Sequence, residues 1–163
     1  MVDGAWIVDA SPLIVLARVG RLDLLGSRVV VPLAVALEVG AGPVDDKARR
    51  ALEAAAYGTF PHVDVPPIVL EWGLGAGESA VLALALTDPA SAAVLDDAQG
   101  RRCARALGVQ VVGTLGVVVS AVRRRQLPAA SPLLREMIAA GFRVDEQLVA
   151  DVLLRALSET WSR

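Results

Sequence analysis

Short, unbroken apolar runs alternate along this chain with longer runs of helical period. The short runs are Trp6–Val8, Val29–Val31, Ala92–Leu95 and Val109–Val112. Each is continuous rather than alternating apolar with polar, which is the pattern of a strand buried on both faces. The longer runs predict helices at Pro12–Val19, Leu33–Val39, Asp46–Ala56, Glu78–Thr87, Ala98–Leu107, Leu115–Arg124, Pro132–Ala140 and Glu146–Ser158. Strand and helix taken in turn predict an α/β fold with a short, mostly parallel sheet covered by helices. Ser11-Pro12 reads as an N-cap followed by proline at the first helical position, and Gly20 and Gly108 as helix stops. "GRLDLLG" (Gly20 to Gly26) reads as a helical turn, and "YGTFPHVDVPP" (Tyr57 to Pro67) as a loop with a short strand at His62–Val65.

Size and composition narrow the class. At 163 residues the chain is expected to form a single domain over 1–163, its C-terminal helices (about 129–158) serving packing or dimerisation. The tail Asp145–Leu157 is amphipathic and is expected to pack on its own domain. With 55% hydrophobic and 21% charged residues the chain has ample core material and is not disordered. A net charge of −2 gives no global attraction to polyanions, so charge permits nucleic acid without predicting it. Lys47 is the only lysine, which excludes a catalytic lysine elsewhere. Cys103 is the only cysteine, so neither an internal disulfide nor a cysteine zinc site can form. A reduced, cytoplasmic setting fits. Asp3 and the lack of a basic leader argue against a signal peptide. The longest apolar run, Val109–Val122, is shorter than the roughly 20 residues of a membrane span.

The carboxylates carry the chemistry. In a parallel sheet the strands end on one edge, the following helices begin there, and ligand sites form along it. Asp9 ends the first strand, and Asp96 and Asp97 end another. Glu78 opens a helix after two glycines, and Glu38 lies one to two turns into the helix after the second strand, close enough to reach back over the same edge. Each also has a plainer reading: Glu78 favours a helix N-terminus, Asp97 caps a helix, Glu38 belongs to a solvated face. Asp9 resists one, because apolar residues surround it. Acids gathered from four segments repel one another and need a cationic partner. Arg101, Arg102 and Arg105 follow on the next helix. Oxygen donors without a His or Cys cluster suit a hard ion, Mg²⁺ or Mn²⁺. The single histidine, His62, lies in a proline-bounded loop and is expected to play no part.

The stretches "IVDASPLI", "VPLAVALEV", "GAGESAVLALAL", "AVLDDAQGRRCARALGV" and "VVGTLGVVVSAVRRRQL" occur in an order and spacing that resembles the PIN-domain family. More narrowly, they resemble its bacterial and archaeal PIN-like branch of unknown function, related to VapC-type toxin ribonucleases. The resemblance covers Trp6 to about Leu157. It implies a three-layer α/β/α fold and a Mg²⁺- or Mn²⁺-dependent ribonuclease leaving a 5′-phosphate. Asp9, Glu38, Glu78 and Asp96 match the family's acidic positions as catalytic residues, with Asp9, Glu78, Asp96 and Asp97 as metal ligands. Ser11, Arg101, Arg102 and Thr114 are expected to contact substrate; the run Arg123–Arg125 offers guanidinium contacts to the RNA backbone, but its plainer and favoured reading is a solvated helix terminus. Glu78 replaces an aspartate common in the toxins, and the pair Asp96-Asp97 replaces their Thr/Ser-x-Asp/Asn arrangement. The family's habits further imply a homodimer and an antitoxin partner. The alternative is a catalytically silent PIN-like module that binds nucleic acid or protein. Phosphotransfer folds fit less well. A dehalogenase-type phosphatase needs an Asp where Ser11 stands, a receiver domain needs a late lysine, and "GAGES" lacks the Gly-Lys-Ser/Thr of a phosphate loop.

Overall fold

The computed structural model describes residues 4–54 and 60–162. Its sheet has four parallel strands in the order β2-β1-β3-β4: β1 (Trp6–Val8), β2 (Val29–Val30), β3 (Ala92–Val94) and β4 (Gln110–Val112). In register, Trp6 faces Val29 on one side and Ala92 on the other, and Ala92 in turn faces Gln110. Every residue of β1 and β3 is buried, as the unbroken apolar runs require.

Helices flank this sheet in a three-layer α/β/α arrangement. They are α1 (Ala10–Arg18), α2 (Leu33–Gly40), α3 (Lys47–Glu53), α4 (Pro67–Leu70), α5 (Ala76–Ala85), α6 (Ala98–Ala106), α7 (Thr114–Arg123), α8 (Ser131–Ala139) and α9 (Glu146–Leu157). The fully buried side chains Leu13, Leu16, Leu82, Leu95, Leu134, Met137 and Leu153 come from both faces and form one core around the sheet. Burying each contributes roughly 1.5–3 kcal/mol before the cost of ordering the chain. The amphipathic tail packs on its own domain: α9 lies against α7, with Val149 and Leu153 buried. Lys47 donates to the carbonyl of Arg18 at 2.9 Å, closing the end of α1. No helix among the described residues is long and apolar enough to cross a membrane.

Several sequence expectations need correction. Helix α1 starts at Ala10, so its N-cap is Asp9 and not Ser11. Pro12 is still within the first turn, where its missing N–H removes no helical bond. Residues 60–66 form no strand, because Pro61 and Pro66 withhold the donors a ladder needs. Pro67 instead opens the short helix α4, which periodicity over four residues does not reveal. Helix α3 stops at Glu53, and the rest of the expected helix, with Tyr57–Thr59 of the loop, lies largely outside the described residues. The helical turn Leu22–Leu25 forms as expected, and Gly20 and Gly108 adopt the positive φ of helix stops, +69° and +73°.

Candidate active site

All four strands run the same way, so their carboxyl ends share one edge. From β1 the chain passes to β2 on one side and later to β3 on the other. That reversal leaves a crevice over the β1 and β3 ends, where open α/β sheets take ligands. Asp9 follows β1 directly and Asp96 stands two residues beyond β3, so they occupy its two sides. The Asp9 N–H donates to the carbonyl of Val94 at 3.1 Å, which ties the two strand ends together.

Asp9 is buried, 8% exposed, and its side chain makes no capping bond to α1. Burial pushes its pKa up from 3.8 to about 7. The Ala10 N–H pulls the other way, and the charges of Glu38, Glu78 and Asp96 push it further up. Side chains from four separate segments thus converge on one edge. Among the described residues none of these four acids sits in an ion pair. The arginine compensation left open by the sequence is not made.

Gly77 explains how α5 comes so close. A Cβ there would lie 2.8 Å from Glu38 Oε2, 3.1 Å from Asp9 Oδ1 and 3.3 Å from a Val35 methyl. The absent side chain leaves a cradle flanked by two carboxylates. Glu78 follows at the third position of α5, and its Oε2 accepts the Gly75 N–H at 3.3 Å, as the helix-terminus reading expects. Its pKa is raised, chiefly by burial and also by Asp97 and Glu38, against the Gly75 bond.

Asp96 is held from the start of α7. Its Oδ1 accepts the Thr114 N–H at 2.7 Å and its Oδ2 accepts the Thr114 hydroxyl at 2.6 Å. Thr114 is fully buried, and its N–H and hydroxyl both go to Asp96, so it orients that carboxylate. The exposed Ser11 hydroxyl approaches the same Oδ2 at 3.5 Å. Arg101 Nη1 and Asp96 Oδ1 flank Gly113, each 3.3 Å from where its Cβ would be.

Other expected residues do different work. Asp97 caps α6 through the Gly100 N–H at 2.7 Å, so one of its oxygens is already used. Arg102 folds back on the Ala98 carbonyl of its own helix. Arg123–Arg125 end α7, which starts at the carboxyl edge and runs away from it. Arg124 stacks on Trp6, at the opposite end of β1, and donates to the Leu24 carbonyl. Arg123 donates to the carbonyl of Ala156. Arg123 and Arg124 therefore serve packing and not the acidic edge. His62 is exposed in its loop, as expected. Sequence reasoning missed Gly77, and also Arg18, Phe142 and Arg143, which line a groove with Glu38 and Asp96. Arg18 was legible in principle, being seven residues after Ser11 and hence on the same face of α1.

A family model of a PIN domain, DUF3368, matches residues 5–158, nearly the whole chain and every acidic segment of this edge. The chain belongs to the PIN-domain family. No curated protein and no solved structure matches the chain significantly. PIN domains are generally nucleases that act on nucleic acid and typically use divalent metal ions. The residues of this PIN domain fit such an ion in donor chemistry: four carboxylates, all oxygen, unneutralised, beside the cradle at Gly77. Among the described residues no three or more His, Cys, Asp or Glu side chains are grouped so that they could hold a metal ion.

Proposed function

We propose that this PIN domain is a ribonuclease that hydrolyses RNA phosphodiesters with the help of Mg²⁺ or Mn²⁺. The observation that supports it most is Asp9: a buried carboxylate on a strand end, with three further acids from other segments raising its proton affinity. Such an arrangement costs free energy unless something cationic shares it. An all-oxygen donor set suits a hard ion that keeps several of its waters. When bound, the ion supplies a more acidic water and offsets charge on the phosphate.

The protein's own part is positioning. Asp9 and Asp96 would hold the ion directly, and Glu38 and Glu78 would hold it directly or through its waters, with Asp97 at the rim. Thr114 keeps Asp96 in one orientation, and the Gly75 N–H does the same for Glu78. Arg101, beside Gly113, and the Ser11 hydroxyl contact the phosphate. The family match over 5–158 supports a single domain. A homodimer and an antitoxin partner, both from the resemblance to VapC-type toxins, and a cytoplasmic location, from the lone cysteine, complete the reading.

RNA incubated with Mn²⁺ and the protein is expected to be cut. EDTA should stop cleavage, and Asp9→Asn should abolish it while circular dichroism stays that of the folded protein. Cleavage that survives EDTA or the substitution overturns the proposal. Uptake of RNA without turnover returns the silent binding module.

A further inference from the structure

We propose that Glu159 is a positioning residue for the acidic edge: seated on the start of α8, it fixes that helix and, through it, the wall of the groove beside Glu38 and Asp96. This rests on the reading of that edge as a reaction site, and it adds what holds one side of the site in place. Helix α8 does not cap itself. Its N-cap is Ala130, which has no side-chain acceptor, and Pro132 in the first turn has no N–H. The open donors are met from 28 residues further along the chain, where Glu159 Oε1 accepts the Ser131 N–H at 2.8 Å and also the Ser131 hydroxyl. Its Oε2 accepts the Ala130 N–H at 2.9 Å. A carboxylate there also faces the positive end of the helix. Burial pushes the Glu159 carboxyl up, but the Ser131 hydroxyl, the two N–H groups and the Arg135 charge outweigh it and hold the group below its ordinary value.

The chain is turned onto this seat. Ser158 follows α9 with a left-handed backbone, φ +54°, and the Glu159 N–H returns to the Leu153 carbonyl at 3.2 Å. One turn into α8, Arg135 lies 5.9 Å from the centre of the Trp161 ring and donates to the Ser162 carbonyl. Residues 159–162 thus grip α8 at two successive turns. They lie past residue 158, where the family match stops. The other end of α8 meets the site. The helix has nine residues, which at 1.5 Å each span about 13 Å. At its close Arg18 of α1 donates to the Ala140 carbonyl, and the Phe142 N–H returns to the Met137 carbonyl at 2.9 Å. Gly141, Phe142 and Arg143 then line the groove with Glu38 and Asp96. Leu133, Leu134 and Met137 are buried between the two ends, so α8 moves as a packed rod, and a shift at Ser131 is carried to the wall.

The test is hydrogen exchange, read by mass spectrometry on the full chain without RNA or metal. In Glu159→Ala the amides of α8 are expected to exchange roughly tenfold faster, the effect of a lost helix cap. The increase should reach residues 141–143, while β1 and the buried turns of α1 exchange as in the parent. Glu159→Gln keeps the shape and one acceptor; it should fall between the two, and it carries the test if the alanine variant does not fold. Asp151→Ala, which removes a carboxylate from the exposed face of α9, should change nothing. In Mn²⁺-dependent cleavage of RNA, Glu159→Ala should raise KM several-fold with kcat unchanged, because the wall is less organised and the carboxylates are untouched. Faster exchange confined to Ala130 and Ser131 overturns the proposal, since the wall is then indifferent to the seat. Faster exchange spread evenly over the chain overturns it too, being plain loss of stability. If no RNA is cut while exchange spreads along α8 to residue 143, the nuclease reading falls and the positioning role stands. If RNA is cut while Glu159→Ala leaves KM and exchange at 141–143 unchanged, the reverse holds.

Discussion

Asp9 sets the terms at the residue scale. Its carboxyl is neutral-leaning near pH 7 because burial, reinforced by Glu38, Glu78 and Asp96, disfavours the charge. The folded protein thus holds this proton more tightly than the unfolded chain does. Between the unfolded value of 3.8 and about 7 the folded state binds more protons, so stability falls as pH rises through that window. Asp9→Asn removes the penalty. The variant, in EDTA, is expected to be more stable than the parent at pH 8 by at most about 4 kcal/mol, one pKa unit being 1.36 kcal/mol. The difference should shrink on acidification and vanish below about pH 4, as denaturant titrations at each pH will show. Thr114 works in the opposite sense. Thr114→Val keeps the shape but takes the hydroxyl from Asp96 Oδ2, a loss of about 1–3 kcal/mol of stability. Thr114→Ser should keep most of it, with urea midpoints separating the two.

At the scale of elements, the site depends on how closely α5 approaches α2 and β1. Gly77 permits it, and its replacement sets two effects against each other. Alanine favours a helix interior over glycine by about 1 kcal/mol. The new methyl meets Glu38 Oε2 at 2.8 Å, the end of a flexible side chain, which can swing aside. Gly77→Ala is therefore expected to melt within a few degrees of the parent. Its Mn²⁺ affinity should fall about tenfold or more, because Glu38 and Asp9 no longer face one space; calorimetric titration reads both. Helix ends near the site share their acids with the backbone. Asp97 serves α6 and Glu78 serves α5, so the plain helix-terminus reading holds for both.

At the scale of the whole molecule, the acidic edge is an unbalanced charge where an apolar core meets the surface: Asp9 is buried, Glu78 and Asp96 are half-buried and Glu38 is exposed. A divalent ion that binds only the folded state stabilises it by RT ln(1 + [L]/Kd), about 2.7 kcal/mol at a hundred times Kd. Mn²⁺ is expected to raise the melting temperature at pH 8. The gain should fade as pH drops below about 7, where Asp9 takes up a proton that competes with the ion. A melting temperature that ignores Mn²⁺ at pH 8 removes the metal from the account.

The sequence alone determined the strands, because a run such as Trp6–Val8 buries on both faces only in a covered parallel sheet, and parallel strands must end on one edge. From that followed the convergence of Asp9, Glu38, Glu78 and Asp96, each at a position countable from a strand or helix end. What only the tertiary structure decided is where side chains turn once they arrive. Thr114 turns inward to Asp96, Arg124 lies over Trp6 at the far edge, and Gly77 leaves a gap beside Asp9 and Glu38, which stand far apart in the chain. Arg143 enters the groove from a loop after α8 that no local period ties to the acids. Periodicity records a residue's face on its own element. Contacts between elements depend on packing distances that no local pattern encodes.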